Sequence, residues 1–195
     1  MPDDGLFEVM PDKGAKFTER QMLDYLHDRY SQTNPGNGAR YAVAEHVKNQ
    51  AGFDAGRIAD FIAVDCWPTG GIELHGHEVK VSRSDWLHEL KQPEKAEAFK
   101  RYMHRWWLVV PNASIVKPDE LPEGWGLLTL SKWSDGPTRT EFRLRAKTKA
   151  PKLKPDPLPI ELLATLMRST AKTSKRRAHD KFCSAPCGHY RWEIT

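Results

Sequence analysis

The chain of 195 residues has 39% hydrophobic and 29% charged residues, including seven Trp, seven Phe and five Tyr. This apolar and aromatic content excludes global disorder, and the length suits a single domain with short extensions. The net charge is +4, and the Lys and Arg residues that follow Arg139 favour an anionic partner, although a solvated charged surface has the same composition.

Membrane insertion and a disulfide framework are both disfavoured. The sequence contains no run of about eighteen apolar residues, and residues 1–14 carry acids and prolines where a secretory signal needs a basic end and an apolar stretch. Three cysteines, Cys66, Cys183 and Cys187, are an odd number at uneven spacing. We expect a cytoplasmic protein with no membrane partner and reduced thiols, with Cys66 as a small core residue.

The first predicted helix begins after Thr18, which has Gln21 three residues later, as in a capping box. Its apolar face starts with Met22, Leu23 and Leu26, and it ends before the turn sequence TNPGNG. The segment ARYAVAEHVKN then alternates as a strand does, although its alanines also permit a helix. We favour the strand.

Two further strands are predicted around the turn PTGG. RIADFIAVDCW is nearly all apolar, with Asp60 inside it, and IELHGHEVKVS resumes the strand pattern. Helical segments follow at DWLHEL and EKAEAFKRYMHR, then the apolar runs WWLVV and WGLLTL, and EFRLRAKTK as an edge strand. Strands, helices and strands in this order predict an α/β fold with a central mixed β-sheet.

The four prolines of APKLKPDPLP predict a linker, and IELLATLMRSTAK predicts a terminal helix. We therefore divide the chain into an N-terminal extension (1–16), one domain (17–150) and a C-terminal region (151–195) with a linker, a basic helix and a Cys/His tail.

The most informative polar residues lie within the predicted strands. Glu78 and Lys80 are two residues apart, so their side chains project from the same face. If the strand that contains Asp60 lies beside them, Asp60 reaches the same edge of the sheet, and Glu45 is a candidate fourth member. Two carboxylates on rigid strands suit Mg²⁺ or Mn²⁺, and a nearby ammonium can offset charge on a phosphate. An E-x-K triplet alone also describes an ordinary Glu–Lys ion pair.

RIADFIAV followed by IELHGHEVKVSRSDWLHEL resembles the D…(D/E)-x-K core of the PD-(D/E)XK nuclease superfamily, especially its MmcB-like DNA-repair family. The resemblance covers about residues 41–130 and implies a restriction-endonuclease-like sheet flanked by helices. It also implies a Mg²⁺- or Mn²⁺-dependent deoxyribonuclease acting in DNA repair, recombination or phage DNA processing. Asp60 and Glu78 then correspond to the metal-binding acids, Lys80 to the catalytic lysine, and Glu45 to an acid that some members use.

The sequence departs from the family at Ala59, where most members have Pro, and Asp65 is a rival for Asp60 that lies closer to the turn. Because a fold does not establish turnover, a nucleic-acid-binding protein without catalytic activity is the alternative. Arg83 and Lys91, around the helix after the E-x-K strand, are expected to hold DNA phosphates, unless they are ordinary exposed charges.

Four residues near the C-terminus could hold structural Zn²⁺, or else belong to a tail with free thiols, since their spacing is irregular. They are His179, Cys183, Cys187 and His189. Two histidines, His75 and His77, alternate to the face opposite Glu78, where we expect them to contact a helix. Trp106 and Trp107 are expected in the strand core, although one could stack on a base.

Overall fold

A mixed six-stranded sheet with helices on both faces organises the protein in a computed structural model that describes residues 16–36, 38–49, 56–134 and 140–182. The helices are α1 (Glu19–Arg29), α2 (Arg83–Glu89), α3 (Glu94–Lys100) and α4 (Ile160–Phe182). A short ribbon, β1 (Thr33–Asn34) and β2 (Gly38–Ala39), precedes the sheet. The sheet consists of β3 (Tyr41–Lys48), β4 (Ile58–Asp65), β5 (Glu73–Val79), β6 (Arg105–Val110), β7 (Trp125–Ser134) and β8 (Thr140–Thr148).

The strands lie side by side in chain order, from β3 at one edge to β8 at the other. β5, β6 and β7 are parallel to one another, and every other neighbouring pair is antiparallel. The parallel β5–β6 step needs a crossover, which α2 and α3 supply. The predicted α/β fold with a central mixed sheet is therefore confirmed, and the segment from Tyr41 forms a strand rather than a helix.

Helix α1 begins where the sequence predicted. The Thr18 hydroxyl accepts the Gln21 backbone N–H at 3.3 Å, and the Gln21 amide oxygen accepts the Thr18 N–H at 2.9 Å. This reciprocal pair satisfies two N–H groups that a helix start would otherwise leave without partners. Met22, Leu23 and Leu26 are fully or almost fully buried on the face that α1 turns to the sheet.

Each face of the sheet carries its own apolar core. One core joins α1 to side chains of β4–β8, among them Phe61, Val79 and Leu128. The other joins α2, α3 and α4 to the opposite face, where Ile62 and Leu108 are buried. Sequence alternation along the strands produces this division, because successive side chains point to opposite faces.

The tryptophans of β6 behave as predicted, whereas Cys66 does not. Trp106 and Trp107 are buried, one in each core. The ring of Trp106 crosses β5 at Gly76, where a Cβ would lie 2.2 Å from it, so only glycine fits there. Cys66 is exposed, because β4 ends at Asp65 and the chain turns outward.

The described part of the C-terminal region is continuous with the sheet rather than tethered to it. The backbone N–H of Leu153 donates to the His104 carbonyl, and that of Asp156 donates to the Arg101 carbonyl, both at 2.8 Å. Helix α4 packs along β3 and buries Leu162 in the second core. The described residues after 150 therefore pack on the domain of residues 17–150.

Candidate functional site

The candidate site lies where β4 begins and β5 ends. Registered pairs of these strands run from Asp65–Glu73 to Phe61–His77. Beyond His77 the Val79 N–H donates to the Asp60 carboxylate at 2.7 Å. The Lys80 N–H donates to the Val109 carbonyl at 2.9 Å, which fixes the backbone on the other side. The structure thereby brings Asp60, Glu78 and Lys80 to one edge of β4 and β5.

The Lys80 ammonium is held between two carboxylates. Its Nζ lies 2.5 Å from Glu78 Oε1 and 3.0 Å from Glu89 Oε2. The three side chains are only 16%, 11% and 7% exposed for Lys80, Glu78 and Glu89, respectively. Lys80 is thus fixed in place rather than free to sample solvent, and the surroundings that hold it are largely dry.

Glu89 was missed by the sequence reasoning, although a local signal for it exists. Ser82 caps α2 by accepting the Asp85 N–H, which sets where the helix starts. From that start, Trp86 and Glu89 are three residues apart and lie on the same inward face, where both are buried. A carboxylate on this buried face needs a cationic partner. The partner of Glu89 is Lys80.

Burial and mutual repulsion shift the protonation of this cluster. Burial, followed by the charge of Asp60, raises the pKa of Glu78 to about 8. Burial raises the pKa of Asp60 to about 6, against the opposing effect of the Val79 N–H and Lys80. Burial acts to lower the pKa of Lys80, but the charge and hydrogen bond of Glu78, together with the charges of Glu89 and Asp60, outweigh it and raise that pKa. Carboxyl groups in excess of one ammonium make the cluster a place where added positive charge is stabilising.

Two residues that sequence reasoning missed adjoin Asp60 on its solvent side. One ligand atom each from Glu19, His46 and Asp60 lies within 4.8 Å of the others. Glu19 is the first residue of α1, and His46 lies on β3; about half of each side chain is exposed. Asp60 thus adjoins two groups. One is the buried cluster of Glu78, Lys80 and Glu89, and the other is the set of three potential metal ligands that it forms with Glu19 and His46.

His46 owes its direction to an unusual backbone conformation. Its φ of 50° lies in the left-handed region, which non-glycine residues seldom adopt. Side chains three residues apart on a regular strand point to opposite faces, yet Ala44 and Val47 both pack in the second core. The alternation of β3 is therefore interrupted at His46. Simple alternation therefore could not have predicted which way His46 points.

Glu45, the proposed fourth ligand, belongs to a different cluster. Its carboxylate accepts from Arg20 at 2.7 and 3.0 Å, lies 2.5 Å from His27 Nε2, and also contacts Arg176. The side chain is 1% exposed. Burial acts to raise the pKa of Glu45, but hydrogen bonds from His27, Arg20 and Arg176 outweigh it and hold that pKa well below its usual range. Glu45 joins α1, β3 and α4 and has no free oxygen for a metal at the Asp60 edge.

The rival aspartate and the two histidines of β5 have structural partners. Asp65 is paired with Arg40 at 2.6 Å, at the far end of β4. His77 is buried against α1, where its Nε2 lies 2.8 Å from the Tyr30 hydroxyl, and His75 Nδ1 lies 3.3 Å from the same oxygen. The histidines therefore lie on the face of the sheet that α1 covers, opposite the face that carries Glu78.

The two basic residues expected to hold DNA differ in their surroundings. Both terminal nitrogens of Arg83 contact the Glu120 carboxylate, and one also donates to the Ile115 carbonyl at 2.8 Å. Arg83 is therefore committed to holding α2 against the segment after β6, and its expected phosphate contact is not supported. Lys91 is exposed in the turn after α2.

The expected zinc ligands fall almost entirely outside the described residues. His179 is an exposed residue of α4, while Cys183, Cys187 and His189 lie beyond the described part of the chain.

Comparison of the chain with protein-family models, with curated proteins and with solved structures finds no match. None of the described helices is long and apolar enough to cross a membrane.

Proposed function

We propose that this protein is a metal-dependent deoxyribonuclease of the PD-(D/E)XK type, with a restriction-endonuclease-like domain that hydrolyses DNA phosphodiester bonds. One observation carries the proposal: Asp60 and Glu78 lie at one edge of adjacent strands, with the Lys80 ammonium 2.5 Å from Glu78. Two acids from adjacent strands and a lysine held beside them make a site suited to a divalent cation and a phosphate.

The donor atoms fit Mg²⁺ or Mn²⁺. Asp60 and Glu78 offer carboxylate oxygens in a setting where burial and repulsion raise both pKa values, so a divalent cation would relieve an electrostatic cost. Around Asp60, Glu19 offers a further oxygen donor and His46 a nitrogen donor within 4.8 Å, and imidazole nitrogen is a better ligand for Mn²⁺ than for Mg²⁺. Glu78 does not belong to this group of three. When bound, such a cation would polarise a phosphate oxygen and lower the pKa of a water molecule.

Lys80 has the position of a charge stabiliser. Its ammonium remains protonated, because its raised pKa reflects the acids around it. Glu78 and Glu89 hold it from two sides, so it need not reorganise as negative charge develops on the phosphate. Lys80 would thus stabilise the transition state without contributing a metal ligand.

Exposed basic residues offer surfaces for the DNA backbone. Lys and Arg side chains project from the edge strand β8 and from α4, where phosphates could replace their counterions. They are Arg143, Arg145, Lys147, Arg168, Lys172 and Lys175. All of them except Arg168 lie in the two basic segments of the sequence, RTEFRLRAKTKAPKLK and KTSKRRAHD.

The competing function is DNA binding without cleavage on the same fold. The contacts that favour it are those of Lys80, which is bonded to two acids as a purely structural ion pair would be. The two functions differ in turnover, so they are separated by one experiment.

The experiment incubates purified protein with single-stranded, duplex, branched and mismatched DNA in Mn²⁺ or in EDTA. The nuclease proposal predicts cleavage of at least one substrate in Mn²⁺, none in EDTA, and none by Asp60→Asn, whose amide oxygen can still accept the Val79 N–H. Binding of DNA with no cleavage in Mn²⁺ or Mg²⁺ would establish the competing function instead. Glu123→Gln, at an exposed glutamate, is the matched control.

A further inference from the structure

A second polar cavity lies at the opposite end of the central strands. Its volume is about 420 Å³, it opens to solvent, and it is lined by the end of α1, the start of β3, the facing parts of β5 and β6, and the residues after β8. Asp65, at the far end of β4, is five residues from Asp60, which corresponds to roughly 17 Å along a strand. The cavity is thus separate from the candidate nuclease site, and its size is within the usual range for small-molecule sites.

Cationic groups surround this cavity in excess over acids. Arg29, Arg40, Arg105 and Lys149 line it. Arg40 is paired with Asp65 at 2.6 Å, and Arg105 is paired with Glu73 at 2.9 Å. Glu73 is shared further, since Lys152 lies 2.8 Å from it. Two carboxylates, Asp65 and Glu73, are therefore shared among three cations. Arg29 and Lys149 are two further cations.

Arg29 and Lys149 add positive charge and have no ion-pair partner in the part of the chain that the structure describes. The Arg29 guanidinium donates to the Leu144 carbonyl at 2.9 Å, and within the described ranges no carboxylate lies at ion-pair distance from it. Lys149 is exposed and has no ion-pair partner among the same residues. The guanidinium of Arg29 is nevertheless held in place by β8, which makes it an anchored rather than a mobile charge.

Neutral polar and aromatic groups complete the cavity wall. The Tyr30 hydroxyl and His75 Nδ1 lie 3.3 Å apart, and both residues line the cavity. Burial lowers the pKa of His75, so its ring is a hydrogen-bonding group rather than another cation at neutral pH. Tyr41 and Trp107 supply aromatic surface at the same cavity. Such a wall suits a ligand that combines an anion with a flat ring.

We propose that this cavity binds a phosphomonoester, with Arg29 and Lys149 as the residues that hold the phosphate. A phosphomonoester carries nearly two negative charges at neutral pH, which matches the charge excess. Guanidinium groups bind phosphate oxygens with geometric specificity, and the aromatic side chains leave room for a nucleoside. The phosphate could come from a free nucleotide or from the 5′ end of a DNA strand, and both present the same group. The inference goes beyond the proposed nuclease function and does not depend on it.

The test is isothermal titration calorimetry in EDTA, so that no divalent cation contributes at Asp60. The probes are inorganic phosphate, thymidine 5′-monophosphate, and one oligonucleotide prepared with a 5′-phosphate or a 5′-hydroxyl. We expect thymidine 5′-monophosphate and the 5′-phosphorylated oligonucleotide to bind. Lys149→Gln and Arg29→Gln should each weaken this binding about tenfold, as expected for a lost charge-assisted hydrogen bond. Lys117→Gln, at an exposed lysine in the segment between β6 and β7, should bind as the parent does.

The outcomes separate the two sources of the phosphate. Tighter binding of the 5′-phosphorylated oligonucleotide than of the mononucleotide would assign the cavity to a strand end, and the reverse order would assign it to a free nucleotide. No binding of any phosphate probe would overturn the proposal, as would binding that Lys149→Gln leaves unchanged. Lys149 is exposed and makes no ion pair among the described residues, so its variant remains informative if Arg29→Gln does not fold.

Discussion

Replacing Glu78 by Gln should stabilise the protein at alkaline pH, although it removes a partner of Lys80. The pKa of Glu78 rises from 4.5 to about 8 on folding, because of burial and then the charge of Asp60. At 1.36 kcal/mol for each pH unit, ionising this group above pH 8 costs the folded state about 5 kcal/mol. The attraction of Lys80 is already part of this pKa, and Lys80 keeps Glu89 at 3.0 Å in the variant. We therefore expect Glu78→Gln to gain about 5 kcal/mol at pH 9, where nearly all of the parent's Glu78 is ionised.

The sign of the pH dependence follows from the raised pKa. Below pH 4.5 the Glu78 carboxyl is protonated in both the folded and the unfolded chain, so the parent loses nothing. As the pH rises from 4.5 towards 8, the unfolded chain ionises first and the parent is progressively destabilised. The advantage of Glu78→Gln should therefore be near zero at pH 4.5 and reach its maximum above pH 8.

Urea unfolding in EDTA, followed by tryptophan fluorescence between pH 4.5 and 9, measures this difference. Glu123→Gln, which removes an exposed carboxylate, should show no such gain. A parent that is as stable as Glu78→Gln at pH 9 would refute the reasoning, as would a difference that does not change with pH.

Four other perturbations test separate parts of the structure. Saturating Mn²⁺, at about a hundred times its Kd, should raise the parent's Tm by roughly 5–10 °C in a thermal-shift assay. Asp60→Asn should lose this rise and Lys80→Ala should keep it. A rise in Asp60→Asn would place the ion elsewhere. Glu45→Gln should cost about 3–5 kcal/mol in urea unfolding, because Arg20 and Arg176 lose a buried carboxylate partner, and a loss below 1 kcal/mol would contradict this. Gly76→Ala should lower stability by at least about 2 kcal/mol, since its Cβ would overlap the Trp106 ring, and an unchanged urea midpoint would show that the ring can move. DNA affinity in fluorescence anisotropy should fall steeply with salt, and a flat dependence would exclude the basic segments as the binding surface.

The central strands and the Asp60–Glu78–Lys80 edge were predictable because short-range rules determine them. Residues two apart on a strand share a face, which places Glu78 beside Lys80. A short turn makes the strands before and after it antiparallel neighbours, which brings Asp60 close to both. Neither rule requires knowledge of how distant elements pack.

The remaining residues around the site depend on packing between distant elements. Glu89 reaches Lys80 only because α2 docks on the sheet, and Glu19 reaches Asp60 only because α1 begins near it. The direction of His46 depends on a left-handed φ that no sequence pattern indicates. Glu45 was misplaced for the same reason, since α1 and α4 bring Arg20, His27 and Arg176 to it from positions far apart in the chain.

The central claim is that the Asp60–Glu78–Lys80 site cleaves DNA, and the most direct measurement is the nicking rate of supercoiled plasmid in Mn²⁺. The parent, Lys80→Ala and Lys117→Ala should be assayed side by side at equal concentration, because both variants remove one lysine charge and Lys117 is exposed. We predict that Lys80→Ala nicks at least about a hundredfold more slowly than the parent, as for loss of a group that stabilises the transition state, and that Lys117→Ala nicks at nearly the parental rate. Equal rates for the parent and Lys80→Ala, or no Mn²⁺-dependent nicking by the parent, would contradict the claim.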